Sequence, residues 1–514
     1  MFEQQQTAPW YRSIPALVVS SLLLPPLGIV LLWFRRDADV RKKVVSTLCL
    51  VVLAAGYLFL VFGVIRPRAA ANAHYEALER HRAEQAQQAQ NTVTVQGAQS
   101  GPTQPGTPNV TSNGADGTNL AHAGDTTTAR NYWTDFRGPN RDGRYDEKQV
   151  QTKWPEKGLQ QLWKQPVGIG FASFVVADGR AYTIEQRRAQ EVVTAYDVTT
   201  GRELWAQGWT AEFKDQTGDG PRATPTWNDG RLYAVGATGE MRCLEAATGR
   251  IVWSKNILRD NGAENIPWGM AASPLVVDDK VIVMAGGSGG KSVVAYNKMT
   301  GAPAWKALSD QSSYTSPMLV TLAGRRQVLA VTASRAAGLA PEDGSVIWET
   351  EWSNGSSINV SQPIIVDKNR FFISAGYGKG AAVVEVTGSG KSYSARKVWE
   401  NVMMKNKFNS SVLHNGYVYG LDEGILTCLD VATGERKWKG GRYGYGQLLL
   451  ASGHLIIISD SGELALVAAV PDKYSELSRF SALSGQTWNV PALTDGRLLV
   501  RNATEMACFN ISAQ

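Results

Sequence analysis

The sequence is poor in the residues from which redox and metal centres are built. Its 514 residues include four cysteines and five histidines. Cys49, Cys243, Cys428 and Cys508 form no C-x-x-C pair, no adjacent pair and no C-x-x-C-H. A thioredoxin-like dithiol, a zinc ribbon and a c-type haem therefore have no ligands in this chain. His74, His81 and His122 fall in a stretch of linker composition, and His414 and His454 alone are too few for a histidine-based metal centre. An excess of one charge is lacking too. The 52 basic and 46 acidic side chains leave a net charge of +6, too slight to mark a nucleic-acid surface, so no nucleic-acid partner is expected.

Long uncharged runs are present, and only near the N-terminus. Residues 13–34, "SIPALVVSSLLLPPLGIVLLWF", and 44–65, "VVSTLCLVVLAAGYLFLVFGVI", are each about long enough to cross a bilayer. Pro25 and Pro26 should kink the first span. The joining loop, 35–43, holds Arg35, Arg36, Arg41, Lys42 and Lys43. The positive-inside rule puts this loop in the cytoplasm, with residues 1–12 and everything after 65 outside. The reading is a two-span hairpin in the cytoplasmic (inner) membrane that holds an extracytoplasmic, periplasm-side domain. A cleaved signal peptide fits less well, because the second span is long and Arg66 and Arg68 follow it. "PPLGIVLLW" with its basic flank also resembles a small hairpin anchor of bacterial membrane proteins. Residues 66–130 read as a flexible linker. Within it 69–90, rich in Ala, Gln and Glu, suit a short helix, and 91–130 hold almost no large apolar residues.

From 131 to 514 one pattern recurs. "AYDVTTGRELW", "CLEAATGRIVW", "AYNKMTGAPAW" and "CLDVATGERKW" end at Trp205, Trp253, Trp305 and Trp438, with looser copies ending at Trp348 and Trp399 and an eroded one near Phe480. Each copy follows a small or polar residue, often Pro, then an apolar strand, a tight turn and a second apolar strand. With Trp163 the closing aromatics are 39 to 52 residues apart, the length of a four-stranded propeller blade. The predicted fold is all-β, an eight-bladed β-propeller of four-stranded blades after the two-helix hairpin and linker. The lone strand "LQQLWKQ" around Trp163 should complete the last blade and close the ring. The recurring Trp163, Trp205, Trp253, Trp305, Trp348, Trp399 and Trp438 are expected to fill the wedges between blades. Gly201, Gly249, Gly301 and Gly434 should supply the turn before the fourth strand. Cys243, Cys428 and Cys508 share one third-strand position and read as small apolar fillers.

One stretch imitates a phosphate-binding loop: "AGGSGGKS", 285–292. A working loop of this kind leads from a strand into a helix N-terminus. Here "KVIVM" precedes it and "SVVAYN" follows it, so it should be a Gly-rich hairpin turn with Lys291 solvated. No nucleotide is expected.

The D-x-x-T-G-x-x-x-W repeat resembles the PQQ-like quinoprotein repeat, and "YWTDFRGPNRDGRY" at 132–145 is similar to a lead-in motif of bacterial PQQ-like propellers. Two kinds of protein share that architecture. Quinoprotein dehydrogenases hold PQQ and Ca2+ on the propeller axis and oxidise alcohols or sugars. The propeller lipoprotein of the outer-membrane barrel assembly machinery is non-catalytic. Asp197, Glu245 and Asp430 recur at a fixed blade position instead of converging on one site, and no Cys-Cys pair is present. The resemblance therefore implies the non-catalytic kind: a scaffold with a protein partner on one propeller face, no catalytic residue, no metal and no bound cofactor. PQQ and Ca2+ belong to the alternative. Arg137, Asn140, Arg141 and Asp142 of the lead-in motif are the candidate interaction residues.

Overall fold

The computed structural model describes residues 30, 39–58, 66–98 and 132–513. The chain divides into two compact units, 1–79 and 80–514. The first apolar span, except Val30, lies outside the described residues. The second is described to Leu58, in a helix α1 (Val40–Leu58) that begins within the basic loop. Among the described residues, no helix is long and apolar enough to cross a membrane. Helix α2 (Arg66–Ala98) corrects the reading of 66–98 as flexible linker and runs past both ends of the 69–90 stretch. Its Ala, Gln, Glu and Arg content gives high helix propensity. Residues 99–131 lie outside the described residues.

Residues 132–513 form eight sheets, each the blade of a propeller. The first short strand is β1 (Arg144–Tyr145), and the ring-closing strand is β2 (Gln160–Pro166). Blade 1 is β3 (Val175–Ala177), β4 (Arg180–Arg187), β5 (Gln190–Asp197) and β6 (Glu203–Thr210). Blades 2 to 7 repeat this antiparallel order. Blade 8 is made of the last three strands of the chain with β2 outermost, paired with Glu505–Asn510. Its two ends of chain are thereby joined in one sheet. The middle strands of a blade lie between two neighbours, so both faces are covered. Six consecutive residues of β4 are buried, as are all but the first of Arg231–Val235. This is why these strands read as apolar runs without alternation.

A belt of hydrogen bonds holds the ring at the start of the inner strands. The Ser173 N–H donates to Thr224 Oγ1 at 2.9 Å, and the Thr224 N–H to Ser273 Oγ at 3.1 Å. Ser273, Ser316 and Gln362 continue the series to Ser316 Oγ, Gln362 Oε1 and Ser410 Oγ at 2.9, 3.0 and 2.9 Å. Gln447 of blade 7 donates to the carbonyls of Phe408 and Trp488, bridging blades 6 and 8. Ser173 Oγ donates to Val490 O and closes the circle. In blades 2 to 5 the belt residue precedes a proline, Pro225, Pro274, Pro317 and Pro363. Proline lacks an N–H, so no donor is stranded towards the axis there.

The recurring tryptophans key one blade into the next. Trp163, Trp205, Trp253, Trp305, Trp399 and Trp438 donate their indole N–H to the carbonyls of Val198, Ala246, Lys298, Pro341, Val431 and Val470, each in the following blade. Gly201, Gly249, Gly301 and Gly434 adopt φ of +71° to +76° in the turns where the sequence placed them. They have a second duty, because a Cβ there would press on the preceding blade's Trp ring. Trp348 is the exception. Blade 5 has a long hairpin, Gly380–Ser389 with Ser392–Asn401, in place of the tight turn, and Trp348 bonds to Gln327 in its own blade. The eroded copy closes with Phe480 on Gly158. Cys243, Cys428 and Cys508 are buried and unpaired.

Two glycines separate the roles of turn and wedge. Gly179 has φ +71° and open space beside it, whereas a Cβ on Gly249, φ +75°, would lie 2.5 Å from Trp205. Gly179→Ala should cost about 1 kcal/mol, the left-handed penalty alone. Gly249→Ala should cost roughly 2–4 kcal/mol, because overpacking is added. Denaturant midpoints of the two variants check the difference.

Candidate functional site

Closing eight blades leaves the inner edge of each first strand facing a common axis. The lead-in segment, 132–145, fills that axis. Val176 and Trp227 donate backbone N–H to the carbonyls of Trp133 and Thr134, at 2.8 and 2.9 Å. Arg141 is 2% exposed, and its guanidinium donates to Ser273 O (3.2 Å), Pro317 O (2.9 Å) and Pro274 O. Asp135 supplies the balancing charge, 2.6 Å away. Arg137, 1% exposed, donates to Ser411 O at 2.9 Å and reaches Leu448 O at 3.5 Å. Burial pushes its pKa down to about 10, so it stays a cation at neutral pH. Strand β1 then pairs in parallel with Leu450 and Ala451, adding a fifth strand to blade 7 on its axial side. Arg137 and Arg141 hold left-handed backbone, φ +64° and +57°. Such strain persists only where the surroundings over-determine it.

The four candidate interaction residues thus separate. Arg137 and Arg141 point inward and are spent on blade carbonyls. Asn140 is exposed and Asp142 half-buried. Both border a shallow groove with Arg144, Leu319, Ile365 and Leu413 at one end of the inner strands.

At the other end of the inner strands lies an aromatic mouth that the sequence reading missed. A cavity of ≈ 150 Å³ is lined by Phe136 of the lead-in segment, Phe171, Trp268, Tyr314, Phe408 and Trp488, with Arg222, Gln447 and small residues between them. Trp488 stacks with Phe408 at 5.2 Å and with Phe171 at 5.6 Å. The Trp268 edge meets Phe408 at 6.0 Å, from blade 3 to blade 6 across the axis. All six rings are half-buried. Two cations sit among them. Lys407 Nζ is 5.1–5.5 Å from the ring centres of Tyr377, Phe408 and Tyr445. Arg222 lies over Phe171 and Phe213 at 5.3 and 4.7 Å, with its charge partly met by Asp215 at 3.9 Å. Burial lowers its pKa to about 10. The signal was an aromatic or cation just upstream of the inner strand in every blade except the fifth, which offers Val360, and it was too dispersed to stand out as a motif.

A quinone with calcium does not suit the lining of the mouth. Calcium takes six to eight oxygen ligands, carboxylates prominent among them. No lining residue of the mouth is acidic, and the cavity is below the ~300 Å³ at which small-molecule pockets begin. Among the described residues no three His, Cys, Asp or Glu side chains are grouped to hold a metal. At 285–292, the strands Lys280–Gly287 and Lys291–Asn297 are joined by a short turn, and a strand, not a helix, follows.

Two predictions follow from these groups. Arg141→Ala leaves buried carbonyls without donors and Asp135 without its partner, and should cost about 3 kcal/mol or more, read from denaturant unfolding. Glu191, beside the mouth, accepts from Ala237 N–H and Trp209 Nε1 at 2.7 and 3.1 Å, and also faces Glu240 and Arg222. Burial outweighs those two bonds and pushes its pKa up to about 7 from 4.5. A carboxyl raised on folding stabilises fully below its unfolded pKa, and that contribution is lost as pH rises through the folded value. Stability should thus fall by roughly 3 kcal/mol between pH 4.5 and 8 on account of this group. Unfolding of Glu191→Gln across that range should show the fall removed.

Comparison with known proteins agrees with the fold. A family model described as "Outer membrane protein assembly factor BamB" matches residues 188–440. None of the curated proteins compared matches the sequence. Among solved structures, BamB from Moraxella catarrhalis is 16% identical, covering 68% of this chain and 99% of its own, with a TM-score of 0.49. The quinohemoprotein alcohol dehydrogenase ADHIIG from Pseudomonas putida HK5 is 13% identical, covering 75% and 81%, with a TM-score of 0.52. Identities this low speak to fold alone. Eight four-stranded blades and Trp-keyed turns give this chain the fold of a PQQ-like propeller, and the family model it resembles matches residues 188–440 of that propeller.

Proposed function

We propose that this chain is a membrane-anchored, extracytoplasmic propeller that serves as a non-catalytic protein-interaction scaffold. Its partner would be held at the aromatic mouth, and its N-terminal apolar segments would form the two-span anchor in the inner membrane. The observation that carries the reading is the mouth itself. Half-buried Trp, Phe and Tyr with Arg222 and Lys407 make the residue mixture of interface hot spots. They sit over an axis occupied by the protein's own lead-in segment. The family model's description as an assembly factor supports the same reading. The candidate residues Asn140 and Asp142 remain available to a second contact on the opposite face.

The test uses the full chain extracted from membranes in mild detergent. Partners should co-purify with wild type and with Met299→Ala, an exposed position on an outer turn, and fall at least about tenfold with Trp488→Ala or Phe408→Ala. A chain starting at residue 66 should leave the membrane fraction. Equal recovery from mouth variants and control would remove the mouth from the proposal. Stoichiometric quinone after addition of PQQ and Ca2+, with dye-linked oxidation of alcohols or sugars, would replace the scaffold by the dehydrogenase alternative.

A further inference from the structure

Blade 1 carries a set of buried charges, met by Arg501 of blade 8, and the set begins on helix α2. From residue 80 onward α2 belongs to the same compact unit as the propeller. Arg82 grips Glu203 at the start of β6 with two nitrogens, at 2.7 and 2.9 Å. Gln85 spans the seam between the first and last blades. Its amide donates to Gln165 of β2 at 3.1 Å, and its carbonyl accepts from the Glu203 N–H at 3.2 Å.

Glu203 is also held by Arg187, 2.8 Å away, and Arg187 pairs with Glu185, whose carboxylate is fully buried. Glu185 accepts the Gly168 N–H at 2.9 Å. The carbonyl of the same residue is fixed by Arg501, which donates to Gly168 O at 2.7 Å and reaches Gly170 O at 3.5 Å. The next residue is Phe171, on the wall of the mouth. Alternating charges therefore run through blade 1 from the helix outside to the segment that sets an aromatic wall. At the position of Glu185, blades 2 and 3 carry Gly236 and Ala285, so the propeller does not need this carboxylate in order to form a blade. A buried ionic chain is costlier than an apolar one of the same volume, and its best attested use is to specify one arrangement over another.

We propose that α2 from residue 80 is a latch, and that its docking through Arg82 is read at the mouth through Glu203, Arg187, Glu185 and the Gly168–Phe171 segment. Arg82 is 38% exposed on its side chain, and an ion pair at such exposure holds weakly. The docked helix can thus release without unfolding the ring. On release Arg82 no longer shares Glu203, Arg187 takes that carboxylate alone and shifts its hold on Glu185, and the grip on Gly168 changes. The consequence for a partner rests on the scaffold reading; the coupling does not.

Hydrogen exchange by mass spectrometry on the full chain tests it, comparing wild type, Arg82→Ala and Arg82→Lys. Arg82→Ala should speed exchange in 80–98, in β6 and, on the order of threefold, at the amides of 167–171, where the Gly168 N–H reports directly. Arg82→Lys keeps the charge and should give intermediate rates. Faster exchange confined to 80–98 and β6, with 167–171 at the wild-type rate, overturns the latch. Partner capture by the same variants is a separate arm. If mouth variants bind as wild type while 167–171 still responds to Arg82, the scaffold reading fails and the latch stands.

Discussion

Eight inner strands facing one axis cannot pair with each other, and the middle of this protein is organised around satisfying what they leave over. Their donors are handled by the belt, in which the N–H groups of Ser173, Thr224, Ser273, Ser316 and Gln362 are each given to a hydroxyl or amide of the next blade, and by the prolines that remove a donor outright. Their acceptors are handled by two arginines. Arg137 and Arg141 are the right residues for this because a guanidinium offers five donors and no acceptor, in a fixed plane, and remains charged when buried. A lysine in place of Arg141 could not reach Ser273, Pro274 and Pro317 together.

How much of this was legible in the sequence depends on whether a feature repeats. The blade period, the closing role of the strand around Trp163 and the glycine turns all recur, and each is written as a motif. The second duty of the glycines, to leave the Trp ring of the previous blade uncovered, was not visible. It joins residues about 40 positions apart across a boundary between blades, as in Trp205 with Gly249. Trp348 departs from its siblings because the blade 5 hairpin supplies no tight turn for it to enter. The mouth and the belt escaped for another reason. Each blade gives them one residue, and Ser173, Thr224, Phe408 or Trp488 taken alone is an ordinary loop residue. Only closure of the ring makes a set of them. Arg137 and Arg141 stand out in the sequence as candidate interaction residues, yet in the fold their partners are backbone carbonyls, which carry no sequence signature.

The charges follow the same division between local and assembled features. The exposed pairs at outer turns, such as Arg250 with Glu245, bind neighbours close in sequence and are solvated. The consequential ones are radial. Glu185 and Arg187 in β4, Glu203 in β6 and Arg501 of blade 8 form one set, and each is electrostatically tolerable only because the others are present. Arg222 and Lys407 at the mouth lie instead against aromatic faces, which stabilise a cation without cancelling its field, and Arg222 is met only in part by Asp215.

The lead-in segment also settles what the axis can do. A propeller with an open bore has one continuous solvent column, through which a solute on one face could reach the other. Here the bore is interrupted midway by Trp133, Arg137 and Arg141, all buried. An occupant of the aromatic mouth and an occupant of the Asn140 groove would thus lie on opposite sides of the buried lead-in segment, and each would feel the other as mechanical load passed through that segment and the blades.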